Sequence, residues 1–165
     1  MIAKEASVSN GALFVYFETK ATLLNELYVT LKTEMGRAAL DGLPLKSHPR
    51  EQVQHLWTQW LYWATSFPEK RRALAHLQVT DDITAESHAL VGSALSAFTD
   101  LLERSRADGP MRETDLGFVL ALTNSIVDAT IDAMIRDPAE AEAHSRVAFE
   151  AMWRVLAGAS VPVAA

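Results

Sequence analysis

The feature that most constrains the fold is a segment, residues 113–136, in which apolar side chains lie on nearly every side of a helix. Its apolar residues recur at intervals of three and four, as a helix requires, but they cover more than one face. They are Leu116, Phe118, Val119, Leu120, Leu122, Ile126, Val127, Ile131, Met134 and Ile135. One chain of 165 residues cannot easily bury all of this surface, so the segment predicts a helix that also packs against another molecule.

A last helix is predicted directly after this segment, ending near residue 157. Asp137 is suited to cap it, Pro138 to occupy its first position and Glu140 to close a capping box. Two consecutive antiparallel helices with surplus apolar surface are typical of a homodimeric four-helix interface. We assign that interface to Ile126, Val127, Met134, Phe149, Met152, Trp153 and Leu156.

The rest of the chain also shows apolar residues at helical spacing. Thr19 can cap a long helix over residues 19–40, which should end near Gly42 before a boundary loop at residues 43–49. Further helices are expected over residues 50–67, 69–79 and 83–107. The last of these has candidate caps at residues 80–82. The sequence therefore predicts an all-α fold.

Near its start the chain shows the pattern of two short helices joined by a tight turn. Leu13, Phe14 and Phe17 recur at spacings of three and four, so they form one apolar face. Ser9 can cap the second helix by accepting a hydrogen bond from a free backbone N–H group. The pattern indicates a helix-turn-helix.

Residues 8–20 read Val-Ser-Asn-Gly-Ala-Leu-Phe-Val-Tyr-Phe-Glu-Thr-Lys and resemble the recognition-helix signature of the tetracycline-repressor-like (TetR) transcriptional regulators. The match is nearly complete. Ser7 is a departure, because the family usually has glycine there. The family's first helix has no counterpart after Met1, so we expect a helix-turn-helix head that is truncated at its N-terminus.

The resemblance implies how the chain is organised and how it would meet DNA. It implies a truncated head with a connecting helix (1–42), a helical ligand-binding and dimerisation domain (43–157) and a flexible tail (158–165). In that family the last two helices form the dimer interface. The residues matching phosphate-holding positions are Ser9, Tyr16 and Lys20, and those matching base-reading positions are Asn10, Gly11, Ala12 and Val15.

Composition and motif content limit which classes of protein the chain can belong to. The absence of cysteine excludes disulfides and thiolate chemistry, and the longest uncharged apolar stretch, residues 116–127, is too short to cross a bilayer. We therefore expect a cytoplasmic protein with no membrane partner. The formal net charge of −6 argues against a surface that coats nucleic acid broadly. No enzyme motif is recognisable, so we expect no catalytic residue, cofactor or metal.

Three tryptophans within seven residues, Trp57, Trp60 and Trp63, predict either a ligand cavity or simply part of the core. Asn124 and Asp128 interrupt the most apolar helix. They either orient a ligand or, in the case of Asp128, lie at the rim of the dimer interface. The candidate ligand-binding residues are Trp57, Trp60, Tyr62, Trp63, Phe67, His76, Phe98, Phe118, Asn124 and Asp128.

We expect a homodimeric transcriptional repressor that binds operator DNA and is released from it by a small apolar or aromatic molecule. Two other classes stay open. One is a dimeric small-molecule-binding module without DNA binding. The other is a helical enzyme, which would need a reactive group such as His76 or Asp128.

Overall fold

The computed structural model describes residues 17–158, and within that part the chain is entirely helical apart from turns and loops. The prediction of an all-α fold is confirmed. The helices are α1 (Lys20–Leu40), α2 (Pro49–Ser66), α3 (Pro68–Leu77), α4 (Ala85–Ala94), α5 (Ser96–Arg106), α6 (Leu116–Arg136) and α7 (Ala141–Ala157), with a 3-10 helix at Pro138–Glu140.

Helix α2 is the centre of the bundle, since it packs against α1, α3, α5, α6 and α7. Leu56, Leu61 and Ala64 along it are fully enclosed, with at most 2% of their surface exposed. Burying one leucine side chain stabilises a fold by about 1.5–3 kcal/mol. Helices α1 and α6 therefore both pack against the apolar core that α2 supplies.

Helix α1 begins and ends where its sequence predicts. The Thr19 hydroxyl accepts a hydrogen bond of 3.1 Å from the backbone N–H group of Thr22, so it caps the helix. At the other end Gly42 has a φ of 68°, a left-handed conformation that suits glycine. These two signals fix the length of α1.

The prediction of one helix over residues 83–107 is wrong, because the chain bends at Leu95 and forms α4 and α5. Leu95 has φ −106° and ψ 13°, outside the helical range. The bend lets α4 pack against α1 while α5 packs against α2 and α7. The cap also differs from the prediction, since the hydroxyl of Thr84 accepts the hydrogen bond from the Ser87 N–H group.

The predicted start of the last helix is also wrong. Asp137 makes no capping hydrogen bond through its side chain, and Pro138–Glu140 forms a 3-10 turn before α7 begins at Ala141. The backbone N–H group of Asp137 instead donates to the carbonyl of Ala133. Asp137 therefore ends α6 rather than starting the next helix.

Five of the seven residues assigned to a dimer interface are buried within a single chain, so that assignment is corrected. Each exposes at most 6% of its surface, and an interface needs side chains that another molecule can reach. These five are Val127, Phe149, Met152, Trp153 and Leu156. Only Ile126 and Met134 are half-buried.

Candidate ligand-binding site

A cavity of about 190 Å³ lies between α1, α2, α4, α5 and α6. Most of its lining is apolar, as is usual for small-molecule sites. Its residues are Lys32, Met35, Gly36, Ala39, Leu40, Leu56, Trp60, Gly92, Leu95, Phe98, Thr99, Leu120 and Asn124. Five of them come from α1, so the first described helix forms one wall of the cavity.

Two smaller cavities of about 20 Å³ each share walls with this 190 Å³ space, which we call the main cavity. One lies deeper in the core and also contacts Trp57 and Phe98. The other extends between α1, α3 and α6 past Trp63 and Asp128. Trp60 lines all three spaces, and its ring meets that of Phe98 edge to face at a centroid distance of 6.1 Å.

The structure brings together six of the ten candidate ligand-binding residues around these spaces. Those six are Trp57, Trp60, Trp63, Phe98, Asn124 and Asp128. The other four do not line them. Tyr62, Phe67 and Phe118 expose 68%, 44% and 58% of their surface, and His76 is also exposed. Their helical spacing gave no means of telling the cavity side from the solvent side.

Lys32 is a site residue that the sequence did not reveal. It is only 8% exposed, and it lines both the main cavity and the smaller space beside α3. Burial lowers the pKa of Lys32, and the carboxylate of Asp128 opposes that shift in part. Its position on the long amphipathic helix suggested a solvated charge, and no pattern of neighbouring residues marked it as buried.

The two carboxylates of α6 face α3 rather than the main cavity. Arg71 forms an ion pair with Asp132 at 2.7 Å, and another of its nitrogens lies 3.6 Å from an oxygen of Asp128. The two carboxylates join α3 to α6 through Arg71. The expected roles of Asp128, orienting a ligand or lying at the rim of a dimer interface, stay predictions. Asp128 nevertheless borders the small space that Lys32 also lines.

A polar cluster on the N-terminal half of α1 joins that helix to α4. The Asn25 amide donates to the carbonyl oxygens of Ala21 and Asp82 at 2.9 and 2.8 Å. Its oxygen accepts from the backbone N–H group of Thr84 at 2.9 Å. One turn further along α1, the Tyr28 hydroxyl lies 3.1 Å from Nδ1 of His88.

Glu34 ties α1 to α2 and α3 on its other side. Lys70 donates to both of its carboxylate oxygens at 2.6 and 2.8 Å, and the indole of Trp63 donates at 3.1 Å. The hydrogen bond from Lys70 lowers the pKa of Glu34, with a further contribution from Trp63. Helix α1 is therefore fastened on one side to α4 and on the other to α2 and α3.

The last two helices carry exposed apolar residues that the core does not use. On α6 these include Phe118 and Ala129, and on α7 Val147, Ala151 and Val155. Val147 exposes 68% of its surface, and α6 and α7 pack against each other.

By length and composition α6 could also span a membrane, since its most apolar part has a mean hydropathy of 1.5. Its two carboxylates and its contacts with α2 and α7 favour a protein surface instead.

Six of the seven predicted DNA contacts lie outside the described residues. They are Ser9, Asn10, Gly11, Ala12, Val15 and Tyr16. The seventh, Lys20, is exposed at the start of α1, and its amine lies 3.6 Å from a carboxylate oxygen of Asp82. Its contact with a phosphate stays a prediction.

Within residues 17–158, no group of three or more His, Asp or Glu side chains is placed to hold a metal ion.

The arrangement of helices is that of the TetR family transcription regulators, although no protein-family profile matches the sequence. A protein assigned to that family from Shewanella sp. PV-4 superposes with a TM-score of 0.78 at 23% identity, covering 92% of this chain and 82% of its own. A TetR family transcription regulator from Marinobacter aquaeolei VT8 gives a TM-score of 0.74 at 20% identity, covering 94% and 82%. These similarities confirm the TetR-like fold that the sequence predicts.

Proposed function

We propose that this protein is a cytoplasmic transcriptional regulator that binds operator DNA as a homodimer and is released from it by a small, largely apolar ligand. The observation that carries the proposal is the position of α1. Helix α1 begins at the end of residues 8–20, the predicted DNA-reading segment. Its second half supplies five residues to the wall of the main cavity. One continuous helix therefore follows the predicted DNA-reading segment in the sequence and reaches the cavity.

The ligand would act by changing how α1 lies on the bundle. Such coupling requires a ligand that binds one position of α1 better than another. The position of α1 supports this view, because Gly36 lies on the cavity while Asn25 follows the DNA-reading segment by only a few residues in the sequence. A shift at the cavity would then be carried along a single helix to the predicted DNA-reading residues.

The exposed apolar residues of α6 and α7 support dimerisation. A protein with two copies of the DNA-reading segment would bind an inverted repeat, since the symmetry of the site follows that of the dimer. Phe118 on α6 and Val147 on α7 replace the five buried residues as the expected contacts. The protein acts in this proposal by binding and not by catalysis.

The test is selection of duplex DNA from a random library by the purified protein. It should be run for the chain beginning at Met1 and for a form extended to the next upstream in-frame start codon. Enrichment of an inverted repeat by either form supports the proposal. The variant Asn10→Ala should lose that enrichment, because an asparagine can read adenine in the major groove. The exposed variant Gln54→Ala on α2 serves as its control.

Failure of both forms to enrich any sequence would contradict DNA binding. A small-molecule-binding module would then be the remaining class, provided that a ligand still binds in the main cavity.

A further inference from the structure

Three polar side chains in the main cavity have hydrogen-bonding capacity that the described part of the chain does not use. They are Lys32 on α1, Thr99 on α5 and Asn124 on α6. Among residues 17–158, no side-chain hydrogen bond or ion pair satisfies the Lys32 amine, the Thr99 hydroxyl or the Asn124 amide. By contrast, the hydroxyls of Thr123 and Thr130 on α6 both donate to carbonyls of their own helix.

Among the described residues, no carboxylate pairs directly with the charged amine of the cavity. No carboxylate of the described residues lies within 4.0 Å of the Lys32 amine. Asp128 is the acid that acts on Lys32 through space, and its oxygen lies 3.6 Å from a nitrogen of Arg71. An amine that faces an apolar cavity without a protein partner costs free energy unless water or a ligand completes its interactions.

The size of the cavity limits what can enter. A cavity of about 150 Å³ is sufficient to hold benzene. At about 190 Å³ this cavity has room for a single ring or a short chain carrying one small polar group. The aromatic faces of Trp60 and Phe98 border that space, while Lys32, Thr99 and Asn124 supply the donors.

We propose that the cavity binds a small monocarboxylic acid, about the size of benzoate or hexanoate, with its carboxylate on Lys32 and its apolar part against Trp60 and Phe98. Thr99 and Asn124 donate to the remaining carboxylate lone pairs. An acid fits better than a neutral ligand because all three groups can donate and one of them is cationic. The inference rests on the proposed function only in taking this cavity as the ligand site.

The test is isothermal titration calorimetry of the full chain, without DNA, using acids and their uncharged amides of the same shape. Benzoate is compared with benzamide, and hexanoate with hexanamide. We expect at least one acid to bind about tenfold or more tightly than its amide. Equal affinity of acid and amide, or no binding of either acid, would overturn the proposal. This comparison uses the wild-type protein and does not depend on the folding of a variant.

Variants then test whether Lys32 is the residue that binds the carboxylate of the ligand. Lys32→Met should lower affinity for the bound acid by about tenfold or more and leave affinity for the amide nearly unchanged. Lys46→Met, at an exposed lysine in the loop before α2, is the matched control and should behave as the wild type. Equal loss of acid and amide binding in Lys32→Met would indicate a damaged cavity and would also overturn the assignment of the carboxylate to Lys32.

The two proposals can fail separately. Acid binding that persists in a protein unable to select any DNA would leave this inference standing while the proposed regulator function fails. DNA selection by a protein that binds neither acid would do the reverse.

Discussion

The side-chain oxygen of Asn25 accepts a 2.7 Å hydrogen bond from the hydroxyl of Ser87, which joins the N-terminal half of α1 to the first turn of α4. The same oxygen accepts from the backbone N–H group and the hydroxyl of Thr84. One amide group therefore ties the start of α4 to the helix that follows the DNA-reading segment. At its other end α4 carries Gly92 on the cavity.

Asn25→Ala should lower the free energy of unfolding by about 1–2 kcal/mol, because the hydroxyl of Ser87, a residue only 6% exposed, loses its acceptor. Urea unfolding followed by circular dichroism measures this change. Gln54→Ala, at an exposed position of α2, should stay within about 0.5 kcal/mol of the wild type. Equal stability of the two variants would mean that the Asn25 cluster does not hold α1 to α4.

Gly36→Ala and Gly92→Ala form a matched pair on the cavity wall. A Cβ at Gly92 meets open space, so that variant should gain about 0.5 kcal/mol from helix propensity. A Cβ at Gly36 overlaps the side chain of Leu95, which must move, so Gly36→Ala should be about 1 kcal/mol less stable than Gly92→Ala. Thermal unfolding measures both variants. Equal gains would show that α1 does not pack closely on Leu95.

Lys32→Met should stabilise the protein by about 1 kcal/mol or more at pH 7, because it removes a buried amine. Burial lowers the pKa of Lys32 from its ordinary 10.5, so the unfolded chain binds the proton more tightly than the folded one. The wild type therefore recovers stability as pH rises from that lowered pKa towards 10.5. The gain from Lys32→Met should shrink over the same range.

Urea unfolding at several pH values measures the Lys32 effect, with Lys46→Met as the exposed control. Asp128 and Arg71 also face this region and are the same residues in the variant as in the wild type. A gain that stays constant between pH 7 and pH 10.5 would contradict the lowered pKa.

Val147→Asp should convert a dimer into a monomer without unfolding it. Val147 is 68% exposed in the single chain, so a charge there costs little until another molecule covers it. Sedimentation velocity reports the mass of the particle, and circular dichroism reports its helix content. Val79→Asp, at an 81% exposed position after α3, is the control and should leave the mass unchanged. A Val147→Asp protein of unaltered mass would place any interface elsewhere.

The sequence predicts the start and end of a helix well where a single residue determines them. Thr19 as a cap and Gly42 as a terminator both act through their own backbone and side chain, so their neighbours in space matter little. The bend at Leu95 was missed because apolar residues continue at helical spacing through it, and Gly92 and Ser93 just before it are only a weak local signal. It follows from which partners α4 and α5 pack against, and that information is not local.

The same distinction explains the two errors in the sites. Helix α6 is apolar on nearly every side, so periodicity could not show that Val127 points inward while Phe118 points outward. Lys32 was missed for the opposite reason, because a charged residue on an amphipathic helix is ordinarily solvated. Its burial depends on how residues of α2 and α6 surround it, which only the assembled bundle determines.

A ligand in the cavity should lower the affinity of the protein for DNA. The most direct test is the dissociation constant for the selected inverted repeat, measured by fluorescence anisotropy with and without an acid that calorimetry shows to be saturating. Affinity should fall about fivefold or more, the lower end of typical allosteric coupling. An unchanged dissociation constant with the cavity occupied would contradict it.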